Sequence, residues 1–183
     1  METADDEKGR NEKWYVLRVV YSQEMKVKAY LDEHGITNFI PMHYVEKIIK
    51  GQAHKVLAPV IHNLIFIRVS PEMMTELKTG HPISPIIRYM MNKEHSTPLV
   101  VPDKQMEDFI AVAGSYEEQI LYLDPQVANL KEGCRVKVIG GIWEGIEGKF
   151  VRIKRGLRVI VSLEGVAAVA TASLHPSLVQ RID

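Results

Sequence analysis

This 183-residue chain has one cysteine, Cys134, so no disulfide can form within it and a reducing compartment is expected. Cys134 sits in a strand-like alternation beside Arg135, the setting of a structural thiol rather than a reactive one. An excess of charge of either sign is missing too. With 23 Lys and Arg against 23 Asp and Glu, any nucleic-acid contact must be local rather than driven by bulk charge. Long apolar runs are absent: "VLAPVIHNLIFIRV" is broken by Pro59, His62, Asn63 and Arg68, short of the ~18 residues a membrane helix needs. The opening "METADDEKGRNEK" lacks the apolar centre of a signal peptide. A soluble cytoplasmic protein with a loose tail over 1–12 and no membrane partner is expected.

Enzyme signatures are also lacking. None of the seven histidines falls in an H-x-x-x-H or HExxH pattern, and no P-loop or G-x-S-x-G elbow occurs. "GGIWEGIEG" is not followed by the helix that a dinucleotide-binding turn requires. His43, His54 and His62 share a strand region without zinc-ligand spacing, and the acidic pair Glu117 and Glu118 reads as solvated charge. No catalytic residue, metal or cofactor is expected.

What is present is ordinary globular composition, 46% apolar and 25% charged. "KWYVLRVV" reads as a buried strand, and Val27, Tyr30 and Leu31 then recur at helical spacing, with Ser22 placed to cap that helix and Gly35 to end it. Lys26 and Lys28 fall off the apolar stripe. Two strand-like runs flank a turn at Gly51, made basic by Lys47, Lys50, His54 and Lys55. Ser70, Pro71 and Glu72 mark a helix start, short strands follow near 86–91 and 98–101, and Met106, Phe109, Ile110 and Ala113 mark a helix closed by Gly114. "SYEEQILYLDPQVANLKEG" has no clean period and contains Pro125, as a connector would. From Cys134 onward apolar residues alternate in short runs separated by glycine or charged turns about every 8–12 residues, the pattern of a small barrel or sandwich.

The expected fold class is therefore α+β: a domain over 13–114 of mostly antiparallel sheet flanked by helices, a linker over 115–130, and a small all-β barrel over 131–183.

Two stretches carry a family resemblance. "CRVKVIGGIWEGIEGKFVRI" resembles the KOW motif of SH3-like barrels, with Gly140, Gly141, Gly145 and Gly148 as its turn glycines. "KWYVLRV", "FIPMHYVEKIIKG", "PVIHNLIFIRVSPE" and "VVPDKQM" resemble, in order and spacing, the N-terminal (NGN) domain of the NusG family of transcription elongation factors. Together the likeness runs from Lys13 to Ile182. Within the family, "IHNLIF" and "GVAAVATA" are similar to the "VHNLIF" and "GIAAVATA" of UpxY-type antiterminators of Bacteroides capsular polysaccharide operons. General NusG proteins carry Pro-Gly-Tyr where His62, Asn63 and Leu64 stand here, a departure that points to a specialised paralog.

The resemblance implies a factor that docks on the clamp helices of the RNA polymerase largest subunit, bridges to the other large subunit, and suppresses pausing and termination; nothing in the sequence demands more than a monomer. The docking patch it implies is Tyr15, Ile61, His62, Leu64 and Phe66, with Thr75 and Glu76 facing the opposite jaw. Lys26, Lys28, Lys47, Lys50 and Lys55 are implied to meet non-template DNA or nascent RNA, and the barrel to meet a ribosomal protein or termination factor. Strand alternation alone places Trp14 and Phe66 in a core and leaves Tyr15 and Leu64 open between core and contact. Those lysines alone also read as a solvated surface. Trp143, Lys149, Arg152, Lys154, Arg155 and Arg158 form the densest basic patch, which suits either RNA contact or the solvent face of a strand. The rival reading is a KOW-type RNA- or ribosome-binding protein acting in translation.

Overall fold

The computed structural model describes residues 11–92 and 94–182, so most of the tail expected over 1–12 lies outside the described residues. In chain order the elements are β1 (Lys13–Val19), α1 (Glu24–Glu33), β2 (Asn38–Phe39), β3 (Met42–Ile49), β4 (Gln52–Pro59), β5 (Leu64–Val69) and α2 (Pro71–Glu76). There follow β6 (Ile87–Tyr89), β7 (Val100–Val101), α3 (Asp103–Ala113), β8 (Leu121–Leu123) and α4 (Pro125–Leu130). The last strands are β9 (Cys134–Val138), β10 (Glu147–Ile153), β11 (Gly156–Leu163), β12 (Ala167–Ala170) and β13 (Val179–Arg181). No helix among the described residues is long and apolar enough to cross a membrane.

These elements form two compact units. The first joins the chain up to Pro41 with Ile61–Asp103; the second joins Met42–Val60 with the chain from Lys104 onward. In the first unit the antiparallel sheet runs β2–β5–β1–β6, with β7 also on β1. Four consecutive residues of β1, Trp14 to Leu17, and four of β5, Leu64 to Ile67, are all buried. Burial without alternation means that both faces of these strands are covered, and it explains their unbroken apolar letters.

The helices of this unit differ in how they start. At α2, Ser70 Oγ accepts the Met73 N–H at 3.2 Å and Pro71 occupies the first helical position. At α1 the expected cap is absent: Gln23 holds the N-cap position without a side-chain bond, and Ser22 takes φ +51° outside the helix. Val27 and Leu31 bury the inner stripe of α1, and Gly35 leaves the helix at φ +66°.

In the second unit β3 and β4 make a two-stranded hairpin whose cross-strand pairs run from Met42↔Pro59 to Ile49↔Gln52. Its two turn residues, Lys50 and Gly51, both have positive φ, the type I′ pattern that matches strand twist. The remaining strands form an antiparallel sheet in the order β13–β9–β10–β11–β12–β8. The strand-rich module expected after Cys134 is present, but the pairing is open: β13 and β8 are its edges and do not close on each other. The stretch expected as a linker supplies β8, paired with β12, and α4, which packs on β11 and β12. Ala128 of α4 enters a cluster with Val151, Ile153, Ile160, Ala168 and Ala170, where the small alanines of β12 let the helix approach closely. Asp124 caps α4 by accepting the Gln126 and Val127 N–H groups.

Of the four turn glycines, Gly141 and Gly145 take φ +85° and +91°. Gly148 lies within β10, where a Cβ would run into the Ile160 carbonyl and sit 2.7 Å from Val159 Cγ1. Gly140 needs neither argument; a Cβ there would rest 3.3 Å from Leu178 Cδ2.

Candidate functional site

Where β1 ends, the chain makes a strained turn. Tyr21 (φ 59°, ψ 31°) and Ser22 are consecutive non-glycine residues in the left-handed region, a conformation that costs on the order of 1–2 kcal/mol per residue. Asn63, just before β5, holds it. Its carbonyl accepts the Val19 N–H at 3.0 Å, and its Oδ1 accepts the Ser22 N–H at 2.9 Å. Asn63 is itself at φ +62°, which asparagine tolerates better than most residues. Strain fixed in this way concentrates at binding sites.

The turn sets out an unusual surface. Tyr21 is 85% exposed and Met25 46% exposed, both large apolar side chains held in solvent. Between them in sequence, Glu24 is buried, its Oε1 3.6 Å from Nδ1 of the exposed His62 and its Oε2 without any hydrogen-bond partner. Sequence reasoning singled out His62 and Ile61 but missed Tyr21, Glu24, Met25 and Asn63. An asparagine immediately before a strand-like run is the local signal that could have located the turn.

The other expected docking residues divide by location. His62, Thr75 and Glu76 are exposed and Ile61 is half-buried. Tyr15, Leu64 and Phe66 are core residues, paired across the sheet as Tyr15↔Ile67, Arg18↔Leu64 and Val16↔Phe66. The patch as a continuous exposed surface therefore needs correction, because period-2 reasoning presumes one free face and β5 has none. Tyr15 meets Tyr89 edge-on at 6.4 Å between ring centroids, and burial followed by the nearby Glu72 raises its pKa. Burial also pushes the Tyr89 hydroxyl up, and it donates to the Met74 carbonyl at 2.5 Å. Thr75 donates to the Pro71 carbonyl at 3.0 Å. Thr75 and Glu76 lie on α2, which follows β5, while His62 precedes β5.

The expected nucleic-acid cations also separate. Lys26 is exposed, whereas Lys28 donates to Asp32 and Asn38, each at 3.2 Å. The Asn38 hydrogen bond, with Lys28, holds the Asp32 carboxyl below its ordinary value. On the hairpin, Lys47 lies opposite His54 and Lys50 sits in the turn, beside Ile48 at 81% exposure. Lys55 is bound to Glu118 at 2.7 Å, which raises the lysine and lowers the glutamate.

In the open sheet, Lys149 donates to the carbonyls of Asn129 and Lys131, and Arg158 to those of Gln119 and Thr171. Both cations hold the sheet to its neighbouring segments. Trp143 is buried, so of the two readings of the basic patch the one that stacks RNA bases on this ring does not hold. Arg152, Lys154 and Arg155 remain exposed around the β10–β11 turn. Among the described residues no three His, Cys, Asp or Glu side chains gather as metal ligands.

Residues 12–110, more than half of the chain, match the family model for NusG, described as transcription termination factor NusG. Among solved structures, one described as "Domain interaction in Thermotoga maritima NusG" is similar at 21% identity over 96% of this chain and 99% of that one, with a TM-score of 0.45.

Proposed function

The chain belongs to the NusG family, a family of transcription factors rather than enzymes, and from that premise we propose that it is a specialised antitermination and elongation factor. In this reading the domain over 13–114 binds the clamp helices of the RNA polymerase largest subunit through the turn at Tyr21–Met25 and Ile61–His62. Thr75 and Glu76 meet the opposite jaw. Tyr15, Leu64 and Phe66 act as the rigid core behind the contact.

The family match carries the proposal, and the strained turn with its exposed apolar side chains supports the location. No bond is made or broken. A factor that binds only the closed clamp shifts the clamp equilibrium by its differential affinity, and ~1.4 kcal/mol changes the populations about tenfold. Lys26 and the hairpin cations Lys47 and Lys50 are the groups we assign to exposed non-template DNA.

We read residues 131–183, together with β8 and α4 from the stretch expected as a linker, as a KOW-type module for a ribosomal protein or termination factor. The likeness of "IHNLIF" and "GVAAVATA" to UpxY-type proteins supports action, as a cytoplasmic monomer, on capsular or surface polysaccharide operons. The test is terminator read-through on reporters carrying such leaders, with and without the protein. Read-through should rise, and no change on any leader overturns the proposal.

One observation favours a second reading. Exposed Arg152, Lys154 and Arg155 at one turn suit an RNA phosphate backbone, as a translation-acting RNA- or ribosome-binding protein would need. Salt-sensitive RNA binding by the full chain that is lost when these three are changed to alanine would favour it over the first.

A further inference from the structure

We propose that Glu24 is an anchor for a basic side chain, arginine or lysine, of the protein that docks on this turn; the inference rests on the polymerase-binding reading above and adds the chemistry of the contact. The carboxylate is 4% exposed. Buried carboxylates normally collect donors, yet among the described residues Oε2 has none, and His62 Nδ1 stands 3.6 Å from Oε1, beyond hydrogen-bond reach. Glu24 is the first residue of the ten-residue α1, where the helix dipole favours negative charge.

The imidazole beside it faces solvent: the His62 side chain is 72% exposed. In sequence Glu24 lies between Tyr21 and Met25, both in solvent, and His62 follows the half-buried Ile61. This combination matches what an arginine or lysine needs, an apolar and aromatic surface for its methylene stem and a desolvated carboxylate for its head. A guanidinium suits it best, because it satisfies both carboxylate oxygens at once. A neutral donor would leave the carboxylate's charge uncompensated, which is why the proposal specifies a cation.

The test is capture of purified bacterial RNA polymerase by the full chain, comparing wild type, Glu24→Gln and His62→Arg over a range of salt. Glu24→Gln should weaken capture at least about tenfold and flatten its salt dependence, with no fall in melting temperature. His62→Arg places a cation beside the carboxylate from within the chain, so it should raise the melting temperature while weakening capture. This second variant decides the matter if Glu24→Gln does not fold. Capture by wild type that is undiminished in Glu24→Gln, or in His62→Arg, overturns the anchor and leaves the polymerase reading standing. Failure of wild type to capture polymerase overturns both.

Discussion

Replacing Asn63 tests whether one side chain holds the strained turn. Asn63→Ala removes the Oδ1 acceptor of the Ser22 N–H, a bond exposed to solvent and worth about 1 kcal/mol net. It also places alanine at φ +62°, where strain of about 1–2 kcal/mol is partly offset by alanine's lower unfolded-state entropy, leaving it about 1 kcal/mol worse than glycine. The expected loss is therefore about 2 kcal/mol for Asn63→Ala and about 1 kcal/mol for Asn63→Gly. Asn63→Asp keeps both the acceptor and the tolerance of the left-handed region, and should change little. At about 2–4 °C per kcal/mol for a chain of this size, Asn63→Ala should melt roughly 4–8 °C below wild type. Thermal and urea unfolding of the four proteins reads the series. Equal losses for alanine and glycine would refute the strain argument, and no loss in either would refute the pin.

Leu64→Asp should destabilise by more than about 3 kcal/mol, since it buries a charge in a fully enclosed site, whereas Ile61→Asp at its half-buried position should cost far less; circular dichroism melts separate the two. If Leu64→Asp melts like wild type, the assignment of β5 as covered on both faces is wrong. Gly148→Ala forces a Cβ onto the Ile160 carbonyl, and a loss of about 1–3 kcal/mol is expected in denaturant titrations; an unchanged midpoint would show that β10 and β11 readily move apart. Lys55 lowers the Glu118 pKa, so the pair contributes at neutral pH and its contribution disappears as the pH falls through the Glu118 titration. In Lys55→Ala the Glu118 carboxyl should titrate at higher pH by NMR, and an unmoved titration would remove the ion pair from solution.

The sequence was readable wherever a feature depended on a few adjacent residues. Ser70, Pro71 and Glu72 start α2 as their letters suggest, and the Lys50–Gly51 turn lies where the glycine put it. Ser22 has the same kind of letter as Ser70 but a different fate, because Asn63, forty-one positions on in sequence, captures its N–H. The faces of β1 and β5 were unreadable for a related reason: continuous burial removes the alternation from which a face is inferred. Asp124 and Pro125 spell a helix start, but a proline between aperiodic residues reads equally as a break. The pairing of β8 with β12 joins residues more than forty apart and leaves no local trace. Lys149 and Arg158 show the same limit for charge, since a cation serving backbone carbonyls reads in sequence like one awaiting phosphate.

The β3–β4 ribbon enters and leaves at neighbouring points, because Met42 and Pro59 face each other across it with Cα atoms about 5 Å apart. Removing or adding residues in opposed pairs near Lys50 and Gly51 would shorten or lengthen the ribbon by about 3.4 Å per pair while leaving the entry and exit fixed. Its reach is thus an adjustable dimension of the protein. Descendants of one ancestral gene can diverge in how far they extend, and in the Lys–Ile composition of the tip, without altering any strand of the five-stranded sheet.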